Sequence, residues 1–83
     1  MPYFMNSTTR RREPLFEFAH GANRWRCDLV DLHYLGVEVH FFLNDEFHHS
    51  RRFEAADEGS APARDVAIAW AHGERQAIET AHR

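Results

Sequence analysis

Histidine is the residue type in this chain with the most chemistry to offer: seven imidazoles, His20, His33, His40, His48, His49, His72 and His82, could ligate a metal, move protons or titrate near neutral pH. A zinc site needs three or four convergent ligands, and the spacings that guarantee convergence, a Cys-x-x-Cys pair or a His-Glu-x-x-His helix, do not occur. Strand parity puts His40 and His48 on one face with Glu38 nearby. Nothing in the spacing brings a third ligand to them, so no metal ligand is assigned. Nucleophilic catalysis fares no better. Cys27 lies in a stretch whose odd positions point inward, where a thiol acts as a small apolar side chain. Ser50 falls across from His40, yet an open sheet neither excludes water nor supplies donors for developing charge. The ten cationic side chains are all arginine, which removes a Walker-type lysine, and there is no glycine-rich phosphate loop or dinucleotide fingerprint. The expectation is a non-enzymatic protein without a cofactor.

Charge carries more information. Up to residue 27 the chain holds five arginines against two carboxylates, whereas residues 28–82 hold eleven carboxylates against four arginines. An acidic body with a basic beginning repels phosphate over most of its surface and attracts a basic partner. The carboxylates that fall in connections, Asp45, Glu46, Glu54, Asp57 and Glu58, are the candidate partner-binding residues, on the expectation that the two connections lie near one another at the edge or end of the sheet.

The elements that must position these groups are legible from periodicity. Residues 1–13 show no helical or strand period and are expected to form a flexible basic arm, followed by a single domain over residues 14–83. A chain of 83 residues has room for one core only. Leu15, Phe16 and Phe18 against Glu17 and His20 predict a first strand, ending in the turn residues Gly21-Ala22-Asn23. Trp25, Cys27 and Leu29 share one face of a second strand, and Val30 and Leu32 break parity, which points to a bulge or bend there. Gly36 is a turn exit able to take positive φ. Val37, Val39, Phe41 and Leu43 alternate with Glu38, His40 and Phe42 in a third strand.

Parity also predicts the register of the fourth strand, because a slip of one residue exchanges its faces. A three-residue loop, Asn44-Asp45-Glu46, puts Phe47 and Phe53 in the core and sets Glu38 against Arg52 as an ion pair on the open face. A two-residue loop would bury Arg52 and Glu54 beside valines. After a polar connection, Ser60 is a candidate N-cap and Pro62 suits a first turn. Val66, Ala67, Trp70, Ala71, Ala77, Ile78 and Ala81 form the apolar stripe of a helix. Gly73 within it is expected to permit close approach to the sheet. The fold class is therefore α+β, an antiparallel β-meander of three to four strands packed on one C-terminal α-helix.

Trp25-Arg26-Cys27-Asp28-Leu29, Val37 to Leu43, Arg52-Phe53-Glu54-Ala55 and Ala63 to Ile78 together resemble the three-strand-plus-helix plan of plant ethylene-response-factor DNA-binding domains and of integrase arm-binding domains. That resemblance implies DNA readout by arginines and tryptophans along the sheet. Arg26 and Arg52 occupy comparable positions here, while Asp28 and Glu38 interrupt the face. Three functions follow as expectations. The first is a cytoplasmic, non-catalytic interaction domain, an acidic inhibitor or adaptor docking on a basic protein, including one that itself binds nucleic acid; in size and charge it is similar to anti-CRISPR proteins and DNA mimics. The second is a nucleic-acid-binding module using Arg10, Arg11, Arg12, Arg24, Arg26, Phe42 and Arg52. The third is a structural homo-oligomer, a homodimer included, formed through the open sheet face that bears Phe42.

Overall fold

Alternation of apolar and polar residues every second position dictates strands, and in the computed structural model four of them pair antiparallel in sequence order. The structure describes residues 11–54 and 62–81, the Tyr34 side chain excepted. β1 (Arg11–His20), β2 (Asn23–Asp31), β3 (Val37–Leu43) and β4 (Glu46–Phe53) form the sheet, and α1 (Ala63–Thr80) lies across one face of it. A 3-10 turn over His33–Leu35 joins β2 to β3. The α+β meander with a C-terminal helix is thus observed, with four strands. No described helix is long and apolar enough to cross a membrane.

The first strand begins earlier than its apolar residues do. Arg11, Arg12 and Glu13 already pair with Asp31, Val30 and Leu29, so the basic arm ending at residue 13 is too long at its C-terminal side. Two interactions hold these residues: the two terminal nitrogens of the Arg64 guanidinium in α1 donate to the two Glu13 carboxylate oxygens, at 3.1 and 2.9 Å, and Arg12 donates to Asp28 at 3.0 Å. The rest of the arm, residues 1–10, lies outside the described residues.

Bulges occur at different places from the one that β2 parity indicates. β2 runs unbroken against β3, whereas β1 carries an extra residue, Leu15, between Pro14 and Phe16. Pro14 cannot donate to the ladder, and an edge strand tolerates that. The second bulge decides the last hairpin. Leu43 pairs with Glu46 across the two-residue turn Asn44-Asp45, Phe42 pairs with Phe47, and Phe41 then pairs with His49, leaving His48 as the extra residue. Asn44 and Asp45 both adopt positive φ, 52° and 72°, as a type I′ hairpin turn requires. The three-residue loop is therefore wrong. The register beyond it is right, because the bulge restores the parity that the tighter turn would have lost: Val37 still meets Phe53 and Glu38 still meets Arg52. Two residues beside the bulge are misplaced: Phe47 lies on the open face, 58% exposed instead of in the core, and His48 turns to the helix side instead of joining His40 on the open face.

Between the sheet and α1 sit Phe18, Trp25, Cys27, Leu29, Val37, Val39, Phe41 and Phe53, closed by Ala67 and Ala71 of the helix. The two alanines have no exposed surface, so the helix backbone rides close to β3 and β4. Trp70 packs edge-on to Phe41 at 6.0 Å and against Phe53 at 5.7 Å. Phe18 stacks on Trp25 at 6.3 Å. Arginines shield the two margins of this layer: Arg75 lies over Phe16 and Phe18 at 5.3 and 4.7 Å, and Arg51 over Phe53 and Trp70 at 4.9 and 5.5 Å. Their stems cover apolar surface while the charged heads stay wet. Val66, Ala77 and Ala81 are exposed and do not belong to the packed stripe. Pro62 occupies the N-cap position without a side-chain cap, and Ser60 lies outside the described residues.

Two glycines have opposite meanings. Gly36, at φ 105°, is enclosed so tightly that a Cβ would collide with the carbonyl oxygen of Phe53. Gly73 has open space around it and does not serve close approach to the sheet. Gly36→Ala should destabilise the fold by about 3 kcal/mol through strain and collision. Gly73→Ala should stabilise it by up to about 1 kcal/mol through helix propensity. Urea unfolding of both variants checks this pair, and equal midpoints would refute the contrast.

Candidate functional site

The face of the sheet turned away from α1 is where charged and aromatic groups collect, and cross-strand register sets them out in rows. One row reads Arg12, Val30, Glu38, Arg52; the next Pro14, Asp28, His40, Ser50; the third Glu17, Arg26, Phe42, Phe47. Arg24 follows along β2 beside the Asn44-Asp45 turn, which is stitched to it: the Asn44 amide donates to the Arg24 carbonyl at 2.8 Å, and the Arg24 amide donates to Asn44 Oδ1 at 2.9 Å.

Most charges on this face are paired. Asp28 is only 4% exposed and lies between Arg12, at 3.0 Å, and Arg26, at 3.6 Å. Glu38 accepts from His40 Nε2 at 2.9 Å and from the Arg52 guanidinium at 3.1 Å, the cross-strand ion pair that parity predicts. The aromatic corner is less covered. Phe42 carries Arg26 over its face at 4.2 Å and meets Phe47 edge-on at 6.0 Å, and His40 meets Phe47 at 5.9 Å.

Among the described residues, the acids singled out from sequence are not gathered together. Asp45 and Glu46 lie at one end of the eight-residue β4 and Glu54 just past the other, roughly 25 Å away. Glu54 is therefore far from Asp45 and Glu46, because the length of the strand separates its two ends. Asp57 and Glu58 lie outside the described residues. Of the alternative set, Arg12, Arg24, Arg26, Phe42 and Arg52 do share the open face, Arg11 sits on the helix side opposite Asp31, and Arg10 lies outside the described residues. Phe47 was missed because its side depends on a bulge that no residue type announces.

Several chemical possibilities can be located. His48 does not join His40: the bulge turns it to the helix side, where it touches the Trp25 ring at 4.9 Å. Its Nδ1 is 2.7 Å from His49 Nδ1, one nitrogen donating and the other accepting, and His49 Nε2 donates to Glu74 of α1 at 3.1 Å. Among the described residues no three His, Cys, Asp or Glu side chains are arranged to hold a metal ion. Ser50 faces His40 across the strands without a side-chain hydrogen bond to it, since His40 is engaged with Glu38.

The Cys27 thiol is fully buried, and desolvation foremost, with the Asp28 charge second, pushes its pKa up to about 12. No appreciable thiolate exists at neutral pH. A thiol reagent added to the folded protein should label Cys27 only at the rate of global unfolding, and rapid labelling without denaturant would contradict its burial.

Two carboxylates carry pH dependence. The hydrogen bond from Arg64 holds Glu13 below its ordinary value, and the bond from His40, followed by that from Arg52, does the same for Glu38 against an opposing effect of burial. A depressed carboxylate contributes stability above its unfolded pKa and loses it as pH falls through the folded value. The thermal midpoint should therefore hold down to about pH 4.5 and decline below it. Glu38→Gln should lower the midpoint at neutral pH, by roughly 1 kcal/mol in stability, and make the acid decline shallower. Parallel pH profiles for the two proteins would rule out Glu38 as a contributor.

Set against known proteins, the chain matches no protein-family model, no curated protein and no solved structure.

Proposed function

We propose that the chain is a non-catalytic protein-interaction domain that docks through the corner of its open sheet face where Phe47, Phe42 and His40 meet. The observation that carries this reading is Phe47. It is 58% exposed, yet Phe42 and His40 hold its ring from the side. An aromatic side chain ordered before binding loses little entropy when a partner's pocket closes over it, and such residues dominate interface energetics. Arg26 over Phe42 and Glu38 on His40 place charged groups beside this aromatic corner.

Docking of an acidic inhibitor or DNA mimic on a basic partner draws less support. Glu13, Asp28, Asp45, Glu38 and Glu79 each lie within 4 Å of an arginine, and the unpaired acids are scattered. Direct nucleic-acid binding has one observation in its favour, the sharing of the open face by four arginines and two phenylalanines. Arg12 and Arg52 are already hydrogen-bonded to carboxylates, however, and a phosphate would have to displace these. A structural homo-oligomer formed through the open face would use the same exposed Phe47 corner; light scattering separates the two readings, a doubled or larger mass supporting it and a monomer eliminating it. A cytoplasmic setting fits the single unpaired cysteine.

The test uses wild type, Phe47→Ser and, as a control, Val66→Ser on the exposed side of α1 as baits in an extract of the native host. A genuine partner is recovered with wild type and Val66→Ser and at least about tenfold less with Phe47→Ser. Equal recovery with all three would remove Phe47 from the interface. A salt-sensitive mobility shift of a single-stranded oligonucleotide would favour the nucleic-acid reading instead.

A further inference from the structure

The same corner contains a guanidinium whose hydrogen-bonding capacity is unspent. Arg26 has two carboxylate neighbours, Asp28 at 3.6 Å and Asp45 at 3.7 Å, and neither is close enough for a hydrogen bond. Its place is set by Phe42, over whose ring the guanidinium carbon sits at 4.2 Å from the centroid. Nε faces Asp28 and Nη1 faces Asp45, both beyond hydrogen-bond range, so neither carboxylate takes up the N–H donors of the planar fork. Arg24 lines the same cleft, together with Glu17, Trp25 and Asp45, and its guanidinium has no partner among the described residues.

A fixed fork with free donors beside a second free guanidinium is built to receive a planar anion in bidentate fashion. Asp45 shows which anion the cleft accommodates. One oxygen of its carboxylate lies 3.7 Å from Arg26 Nη1, at ion-pair range only and on a side chain 75% exposed, so it leaves at little cost. The flanking carboxylate of Glu17 disfavours a dianionic phosphate more than a monoanionic carboxylate.

We propose that Arg26, steered by Phe42 and backed by Arg24, is a carboxylate-recognition fork that takes an acidic side chain or terminal carboxylate of a protein partner, with Asp45 as its displaceable internal occupant. The proposal rests on the reading of this corner as the docking surface and names the partner chemistry there: a carboxylate placed next to the apolar group that covers Phe47.

The experiment titrates the full chain with 3-phenylpropionate and follows the arginine Nε–H signals by NMR, with 3-phenylpropanamide as the neutral isostere and phenyl phosphate as the competing anion. The carboxylate should shift the Arg26 and Arg24 signals and the amide should not. Arg26→Lys, which keeps the charge and loses the fork, should bind the carboxylate about tenfold more weakly. Asp45→Asn, which suits the positive φ of the turn, should bind it about threefold more tightly by removing the internal competitor. Equal shifts with carboxylate and amide, unchanged affinity in Asp45→Asn, or tighter binding of phenyl phosphate would each overturn the proposal. Because these probes need no partner, the fork is judged independently of Phe47: loss of partner in Phe47→Ser with no probe binding leaves the docking surface standing and removes only the fork.

Discussion

Side chains in a strand alternate with a period of two, and every strand of this sheet must deliver its apolar set to the single face that α1 covers. Two one-residue bulges make that possible. Leu15 in β1 lets Glu13 reach Arg64 on the helix side while Phe16 and Phe18 also enter the core. His48 in β4 lets a tight two-residue turn coexist with a strand that still points Phe53 inward. Remove either extra residue and one half of its strand would present the wrong face. The exposed Phe47 is a by-product of this accommodation: it lies between the turn and the bulge, where parity is reversed.

The open face is organised by charge in a setting where charge is costly to bury. Asp28 is almost completely enclosed, and a carboxylate in that position is tolerable only with cations beside it. Arg12 supplies a short hydrogen bond, and Arg26 supplies proximity without one. The consequence is a division of labour between two arginines on one carboxylate. Arg12 is committed to structure, and Arg26 retains donors at the surface. Glu38 similarly absorbs both His40 and Arg52. Most of the charge in these two rows of the face is therefore paired within the sheet itself.

The opposite layer is thin, and its margins would be wet without help. Ala67 and Ala71 draw the helix onto β3 and β4, which leaves the β1 side of the core with less helix above it. Arg75 covers Phe16 and Phe18 there, and Arg51 covers Phe53 and Trp70 at the other margin. Long amphipathic side chains thus extend the reach of a short helix. The chain from His48 through His49 to Glu74 adds a polar tie between β4 and α1 on the same side.

Local chemistry by itself determined a good deal of this protein. Strong alternation in Val37 to Leu43, the inward set Trp25, Cys27 and Leu29, the helix from Ala63 and the pairing of Glu38 with Arg52 all follow from short-range periodicity and parity, and all are present in the structure. Tertiary structure alone decided where parity is broken. Leu15 and His48 are ordinary residue types, and each becomes a bulge because the whole strand must satisfy its neighbour and the helix together, a condition spanning residues far apart in the chain. The same holds for the site. Asp45, Glu46 and Glu54 look alike in sequence, but the length of β4 separates them, whereas Arg26, Phe42 and Phe47 become neighbours only because three strands align. Periodicity is a property of a few consecutive residues; adjacency on a sheet is a property of the register between strands.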